Sequence, residues 1–230
     1  MKNLLLIIIS ITLISCETKR HEILGTNYGW DASGIEVLLD AQIDKLRIRH
    51  VRNHNHLFCN SGYSEHIEIE GIIGPDSTAA VERLLPNLHK CIYDEKGNWY
   101  SNMVYLSSGG GFLHDGYEMG KLFRKFQIGT VITGGQECSS SCAIAFLGGK
   151  FRKMEHDSKL MFHAPYLTDG VAIDCSDRGQ VAGLKKYYQA HIGDKDGSFL
   201  LERTMNYCSV SSGWTLNADA AKLFNITTDK

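Results

Sequence analysis

The sequence has little proline, three residues in 230, and no internal repeat or low-complexity segment. That excludes a proline-rich spacer and a repeat array. Neither sign of charge prevails, with 24 Lys and Arg against 26 Asp and Glu. The basic excess expected of a nucleic-acid binder is therefore absent, and no long like-charge run suggests a tail. The apolar run Leu4 to Ile14 falls short of the roughly 20 residues that a membrane-spanning helix needs. Neither G-x-G-x-x-G nor G-x-x-x-x-G-K-[ST] is complete, so no phosphate-binding fingerprint stands out. Cys138 and Cys142 form a C-x-x-x-C pair with no second pair nearby, which leaves a zinc ion two ligands short. What remains has the composition of a globular domain, with a chain long enough for one sizeable core.

The N-terminal run has the character of a secretory signal. Lys2 supplies the positive start, and Leu4 to Ile14 matches an h-region of about 7–15 apolar residues. It ends in Leu13-Ile14-Ser15-Cys16, which resembles the lipobox of bacterial lipoproteins. The resemblance implies cleavage before Cys16, acylation of its thiol, and a mature chain held on a membrane facing the periplasm. Glu17, where an Asp would signal inner-membrane retention, points to the outer membrane of a Gram-negative cell. Loss of residues 1–15 removes Lys2 and leaves 23 basic against 26 acidic groups. With Cys16 lipidated, six cysteines remain: Cys59, Cys91, Cys138, Cys142, Cys175 and Cys208. An even number outside the cytosol favours disulfides, with 15 complete pairings open.

Residues 16–64 form an N-terminal extension with no clear pattern. Ile43 to Val51 reads as a strand or a short helix, and His50, His54 and His56 as a solvated loop. From residue 65 the pattern becomes regular. Ile67, Ile69 and Ile72-Ile73 alternate as a strand closing at Gly74-Pro75. Asp76 or Ser77 is a candidate cap for a helix carrying Val81, Leu84, Leu85 and Leu88, which Pro86 kinks or ends. Met103 to Leu106 reads as a strand, Ser107 to Gly111 as a loop, Leu113 to Phe126 as a helix, and Gly129 to Thr133 as a strand. Small residues Cys138 to Ala145 lead into a buried helix, Leu160 to Phe162 forms a strand, and Gly179 to His191 forms a helix. The last helix starts at an Asn217 cap and runs to Phe224. Strands alternating with helices predict an α/β domain with parallel pairing.

Three segments carry the candidate chemistry. Leu106-Ser-Ser-Gly-Gly-Gly111 sits between a strand and a helix, where glycines free the backbone to present N–H groups to an anion. Cys138-Ser-Ser-Ser-Cys142 precedes a small-residue helix, a place where a serine hydroxyl is exposed beside a helix N-terminus. Such a hydroxyl needs a base to become a nucleophile. Leu160-Met-Phe-His-Ala-Pro165 delivers His163 at a strand end, a suitable position for a general base.

In that order the three resemble the Clp protease proteolytic subunit, with its Ser-Pro-Gly-Gly turn, its serine opening a small-residue helix, and its His-Gln-Pro. They resemble most closely the exported Clp-like proteins with a Cys-x-Ser-x-Cys motif. The resemblance covers residues 65–226 and is most specific over 104–165. It implies a Clp-protease/crotonase-like domain, residues 65–230, built as a repeated β-β-α spiral with a parallel sheet. By the same resemblance Ser140 is the nucleophile, His163 the base, and Gly110 or Gly111 with Ser141 the oxyanion donors. A peptide or protein substrate, self-association into a homo-oligomer, and no cofactor, metal or nucleic-acid partner follow. The chain departs from the family in one respect. Where the Clp subunit has its aspartate, Tyr207 to Trp214 holds no acid; Asp174 and Asp177 are nearer His163 in sequence, and the third triad member is unknown. That departure keeps a second expectation open, a catalytically inactive envelope lipoprotein that uses the fold for binding or assembly. A crotonase-type coenzyme A enzyme does not suit an exported chain. A Ser–Lys arrangement through Lys150 or Lys153 fits less well than His163.

Overall fold

The computed structural model describes residues 34–55, 58–168, 173–175 and 178–228. The signal-like run, Cys16, His56 and Asp177 lie outside them. Among the described residues no helix is long and apolar enough to cross a membrane.

Of the stretch before residue 65, residues 35–43 and 46–53 belong to the sheet. β1 (Ile35–Ile43) and β2 (Leu46–Asn53) form an antiparallel hairpin, and β2 pairs with β3 (Ser64–Ile73) from Leu46↔Gly71 to Asn53↔Ser64. His50 is thus on a strand, where it pairs with Glu65 at 2.9 Å, which corrects the loop expected for it; His54 does lie exposed in the turn after β2. The alternation of β3 predicts one apolar and one wet face, yet Glu65, His66 and Glu68 are all buried. Partners across the sheet explain it. Arg49 meets Glu68 at 2.7 Å, His66 lies 3.3 Å from the same carboxylate, and Arg52 and His50 hold Glu65. Burying a charge without such partners would be prohibitive.

α1 (Pro75–Leu84) starts two residues earlier than a cap at Asp76, and three earlier than one at Ser77, would have set it. Gly74 is the cap position, Pro75 occupies the first helical turn, and Ser77 Oγ accepts the Gly74 N–H at 2.9 Å. Proline lacks the N–H that would be orphaned there. Pro86 falls in a 3-10 turn, Leu85–Asn87, just past the helix end. Two short strands follow, β4 (Cys91–Ile92) and β5 (Trp99–Tyr100), the first tied to the β2–β3 connection by Cys59–Cys91.

β6 (Met103–Gly111) is the branch point of the fold. It runs parallel to β3 along its length, including the glycines expected to form a loop, with a register shift between Glu70 and Ile72. Its first half pairs with β7 (Gly129–Ile132), which pairs with β9 (Arg152–Met154). Its second half meets β8 (Glu137–Ser139) at Ser108↔Cys138. β8 then pairs in parallel with β10 (Lys159–Phe162), and β10 in antiparallel with β13 (Trp214–Leu216). The sheet therefore divides beside β8, and every element carrying a candidate residue ends near that fork.

Helices α2 (Leu113–Lys125), α3 (Ser141–Leu147), α4 (Arg178–Ile192), α5 (Asp194–Met205) and α6 (Ala218–Leu223) complete the domain. α3 is buried along its whole length, and Phe123, Phe146, Phe162 and Tyr188 are among the largest fully buried side chains. Each such side chain contributes about 1.5–3 kcal/mol. Arg152 anchors the segment after α6 by donating to the carbonyls of Ile226, Asn225 and Gly149. Burial, with Arg124 nearby, lowers its pKa to about 10, so it remains cationic at neutral pH.

Candidate active site

Ser140 lies between β8 and α3 with φ +57° and ψ −123°. Positive φ is uncommon for a residue with a Cβ and is characteristic of a sharp strand-to-helix turn that exposes a hydroxyl. Its N–H donates to the Met161 carbonyl at 2.9 Å, which ties the turn to β10. The Cys138–Cys142 disulfide spans the turn from the strand to the helix. Of the three adjacent serines, Ser140 lines the cavity described below. Ser139 is buried with its hydroxyl donating to Glu137, and Ser141 is buried with its hydroxyl unpartnered among the described residues.

The glycine turn packs directly on this serine. Gly110 has φ +101°, and a Cβ there would lie 2.6 Å from Ser140 Cβ and 3.1 Å from the Ser141 nitrogen. The Gly110 N–H donates to Ser108 Oγ at 3.0 Å, whereas Gly111, φ +148°, lines the cavity. The Ser141 N–H belongs to the first turn of α3, where helix geometry provides no internal partner.

His163 leaves the end of β10 and lines the same cavity. Its Nδ1 is 2.9 Å from the Ala164 carbonyl oxygen. A carbonyl only accepts, so in the neutral ring Nδ1 carries the hydrogen and Nε2 has the lone pair. Tyr166 lies beside the imidazole with ring centroids 5.6 Å apart. The stretch without an acid approaches through its backbone: the Tyr207 carbonyl accepts the Ala164 N–H at 2.9 Å. Cys208 in that stretch is bridged to Cys175. Asp174 is exposed in β12 (Ile173–Asp174), opposite Leu167 of β11 (Leu167–Thr168), and is not part of the cavity wall. Ser140 and His163 share the cavity without a direct hydrogen bond between them among the described residues. Lys150 donates to Gln127 and Lys153 pairs with Glu155, both exposed, so neither lysine reaches the serine.

The cavity has a volume of about 840 Å³ and, among the described residues, no Asp, Glu, Lys or Arg in its wall. Leu113, His114 and Tyr117 of α2 form one side. The 3.6-residue period of that helix places Met119, Leu122, Phe123 and Phe126 on the opposite face, of which Met119, Leu122 and Phe123 are buried. Burial pushes the Tyr117 phenol well above its usual pKa, and among the described residues its hydroxyl has no partner. Gly183 and Leu184 of α4 form the other side. Nothing in the sequence around His114, Tyr117 or Gly183 singled them out, because they meet the site only through packing.

No family model matches the sequence, and no curated protein matches it. Solved structures do. A mutant of the 1510-N membrane-bound stomatin-specific protease aligns with TM-score 0.53 and 14% identity, over 70% of this chain and 75% of that one. Another mutant of it, in complex with a substrate peptide, aligns with TM-score 0.54 and 14% identity over 70% and 71%. ClpP1 from Listeria monocytogenes aligns with TM-score 0.51 and 17% identity over 70% and 86%. At such identities the similarity is one of fold, and the fold is Clp-protease-like α/β with a largely parallel central sheet.

Proposed function

We propose that this chain is a serine peptidase of Clp-protease type, exported and held by a lipid on Cys16 at a membrane facing the periplasm. The observation that carries the reading is the pairing of two features in one cavity. Ser140 stands at positive φ on a strand-to-helix turn, and His163 has its Nδ1 taken up by the Ala164 carbonyl. His163 Nε2 accepts the Ser140 proton as Oγ attacks the peptide carbonyl. The Gly111 and Ser141 N–H groups hold the resulting oxyanion. The imidazolium returns its proton to the leaving amine, and water then hydrolyses the acyl-enzyme. The Ala164 carbonyl takes over the orienting role of an acid. A dipole stabilises the imidazolium less than a carboxylate would, so a slow enzyme is expected. The three disulfides, Cys59–Cys91, Cys138–Cys142 and Cys175–Cys208, suit an oxidising compartment. Self-association accompanies this reading and is checked by sedimentation.

The test is covalent labelling of the full oxidised chain in detergent with a fluorophosphonate. Ser140 labels in the parent, and both Ser140→Ala and His163→Ala abolish the signal. Absence of labelling in the folded parent would sink the peptidase and favour the envelope binding module. Labelling that survives Ser140→Ala would assign the wrong nucleophile.

A further inference from the structure

Glycine inside a helix is disfavoured, because it loses more backbone freedom than any other residue. Most helix glycines here have a packing reason. A Cβ at Gly116 would come within 2.5 Å of the Ser141 carbonyl oxygen, one at Gly120 within 1.9 Å of the Tyr187 hydroxyl, and one at Gly197 within 2.6 Å of the Gln189 nitrogen. Gly183 differs. It lies in the interior of the fifteen-residue α4, and a Cβ there would meet none of the described residues within 4 Å. Its φ is not in the left-handed range that would call for glycine. The space in front of it is the cavity that holds Ser140 and His163. Neighbouring Leu184 and, one turn on, Tyr188 line the same cavity and are buried. Gly183 is thus a gap in an otherwise bulky wall.

The chemistry of the wall defines what can use that gap. A volume of about 840 Å³ is in the upper part of the range that encloses drug-sized ligands, more than a small side chain requires. Among the described residues no Asp, Glu, Lys or Arg lines it, so a charged group entering it beyond the serine and the histidines gains no ion pair to offset its desolvation. We propose that Gly183 is a specificity-determining residue: its missing side chain admits a bulky uncharged, preferably aromatic, group of the substrate between α2 and α4. As a statement about the acyl side of a cleaved bond, this rests on the peptidase reading; as a statement about binding, it does not.

The experiment therefore reads binding, in the full chain carrying Ser140→Ala so that nothing is turned over. N-acetyl-tryptophanamide and N-acetyl-alaninamide are titrated by calorimetry against this protein and against the same protein with Gly183→Ala or Gly183→Leu. The tryptophan amide should bind more tightly than the alanine amide. That ratio should fall at least tenfold with Gly183→Leu and by less with Gly183→Ala. A ratio unchanged by leucine overturns the proposal, as does a failure of the tryptophan amide to bind at millimolar concentration. Should the leucine variant fail to fold, the alanine variant, which helix propensity favours, decides by the same ratio. Size-dependent binding alongside a Ser140 that never labels would retain the aperture and discard the peptidase; labelling with a flat ratio would do the reverse.

Discussion

Ser140 holds a conformation that a residue with a side chain normally avoids, at a cost of about 1–3 kcal/mol, and its neighbours leave it little alternative. Gly110 is pressed against it, with φ +101° and no room for a Cβ. Gly110→Ala would both strain the backbone and push the serine turn away from His163. A displacement of about 1 Å at a reacting atom costs on the order of 10²-fold in rate, so fluorophosphonate labelling should slow by about that factor. Measuring the labelling rate beside the melting curve separates this from simple unfolding: a folded Gly110→Ala protein that labels at the parental rate would refute the close coupling. Among the described residues His163 Nδ1 meets the Ala164 carbonyl oxygen, a contact that no side-chain substitution removes, and on the proposed mechanism that contact orients the base without an acid.

Among the elements, β8 and α3 meet at one turn and a disulfide closes over it. Cys138 is a strand residue paired with Ser108 and Leu160, and Cys142 is in the buried helix. A loop this short contributes about 2 kcal/mol in the chain-entropy model. Replacing both cysteines by alanine should lower stability by roughly that amount in a denaturant titration. It should also reduce Ser140 labelling, since the turn loses a covalent tie on both sides. Parental labelling by the double variant would show that the hydrogen bond from Ser140 N–H to Met161 suffices. The same elements explain why β6 continues through its glycines. The strand continues because β3 pairs with it as far as Ile73↔Gly111, a partner that local sequence does not announce.

For the whole molecule, the β1–β2 hairpin matters because it extends the sheet with charges rather than apolar residues alone. Glu65 is its principal tie. Burial alone would raise its pKa, but the His89 N–H, Arg52 and His50 together outweigh burial and hold it below the usual carboxylate value. In the unfolded chain the carboxyl titrates at about 4.3. Below that pH the unfolded state binds more protons than the folded one. The contribution of Glu65 is therefore complete above about pH 4.3 and is lost as the pH falls through its lower folded value. Glu65→Gln should cost roughly 1–3 kcal/mol at pH 7 and flatten the acid limb of the stability curve, as measured by urea unfolding at a series of pH values. An acid limb identical to that of the parent would mean that other carboxylates dominate it.

The sequence by itself determined what depends on near neighbours. Alternation marked β3, short apolar runs marked β7 and β10, a period of about 3.6 marked α2 and α4, the Asn217 cap marked α6, and the order of glycine turn, serine and histidine marked the fold and the candidate site. What depends on residues far apart in the chain was decided by tertiary structure alone. The buried Arg49–Glu68 pair makes the polar side of β3 interior, and three cysteine pairings were selected from many by which strands and helices came together. α5 was missed because its first turn, Asp194 to Gly197, is polar and its inward face is set only by contact with α4. His114, Tyr117 and Gly183 became cavity residues for the same physical reason. Local periodicity tells which face of a helix is apolar, but only packing decides what the remaining face is turned toward.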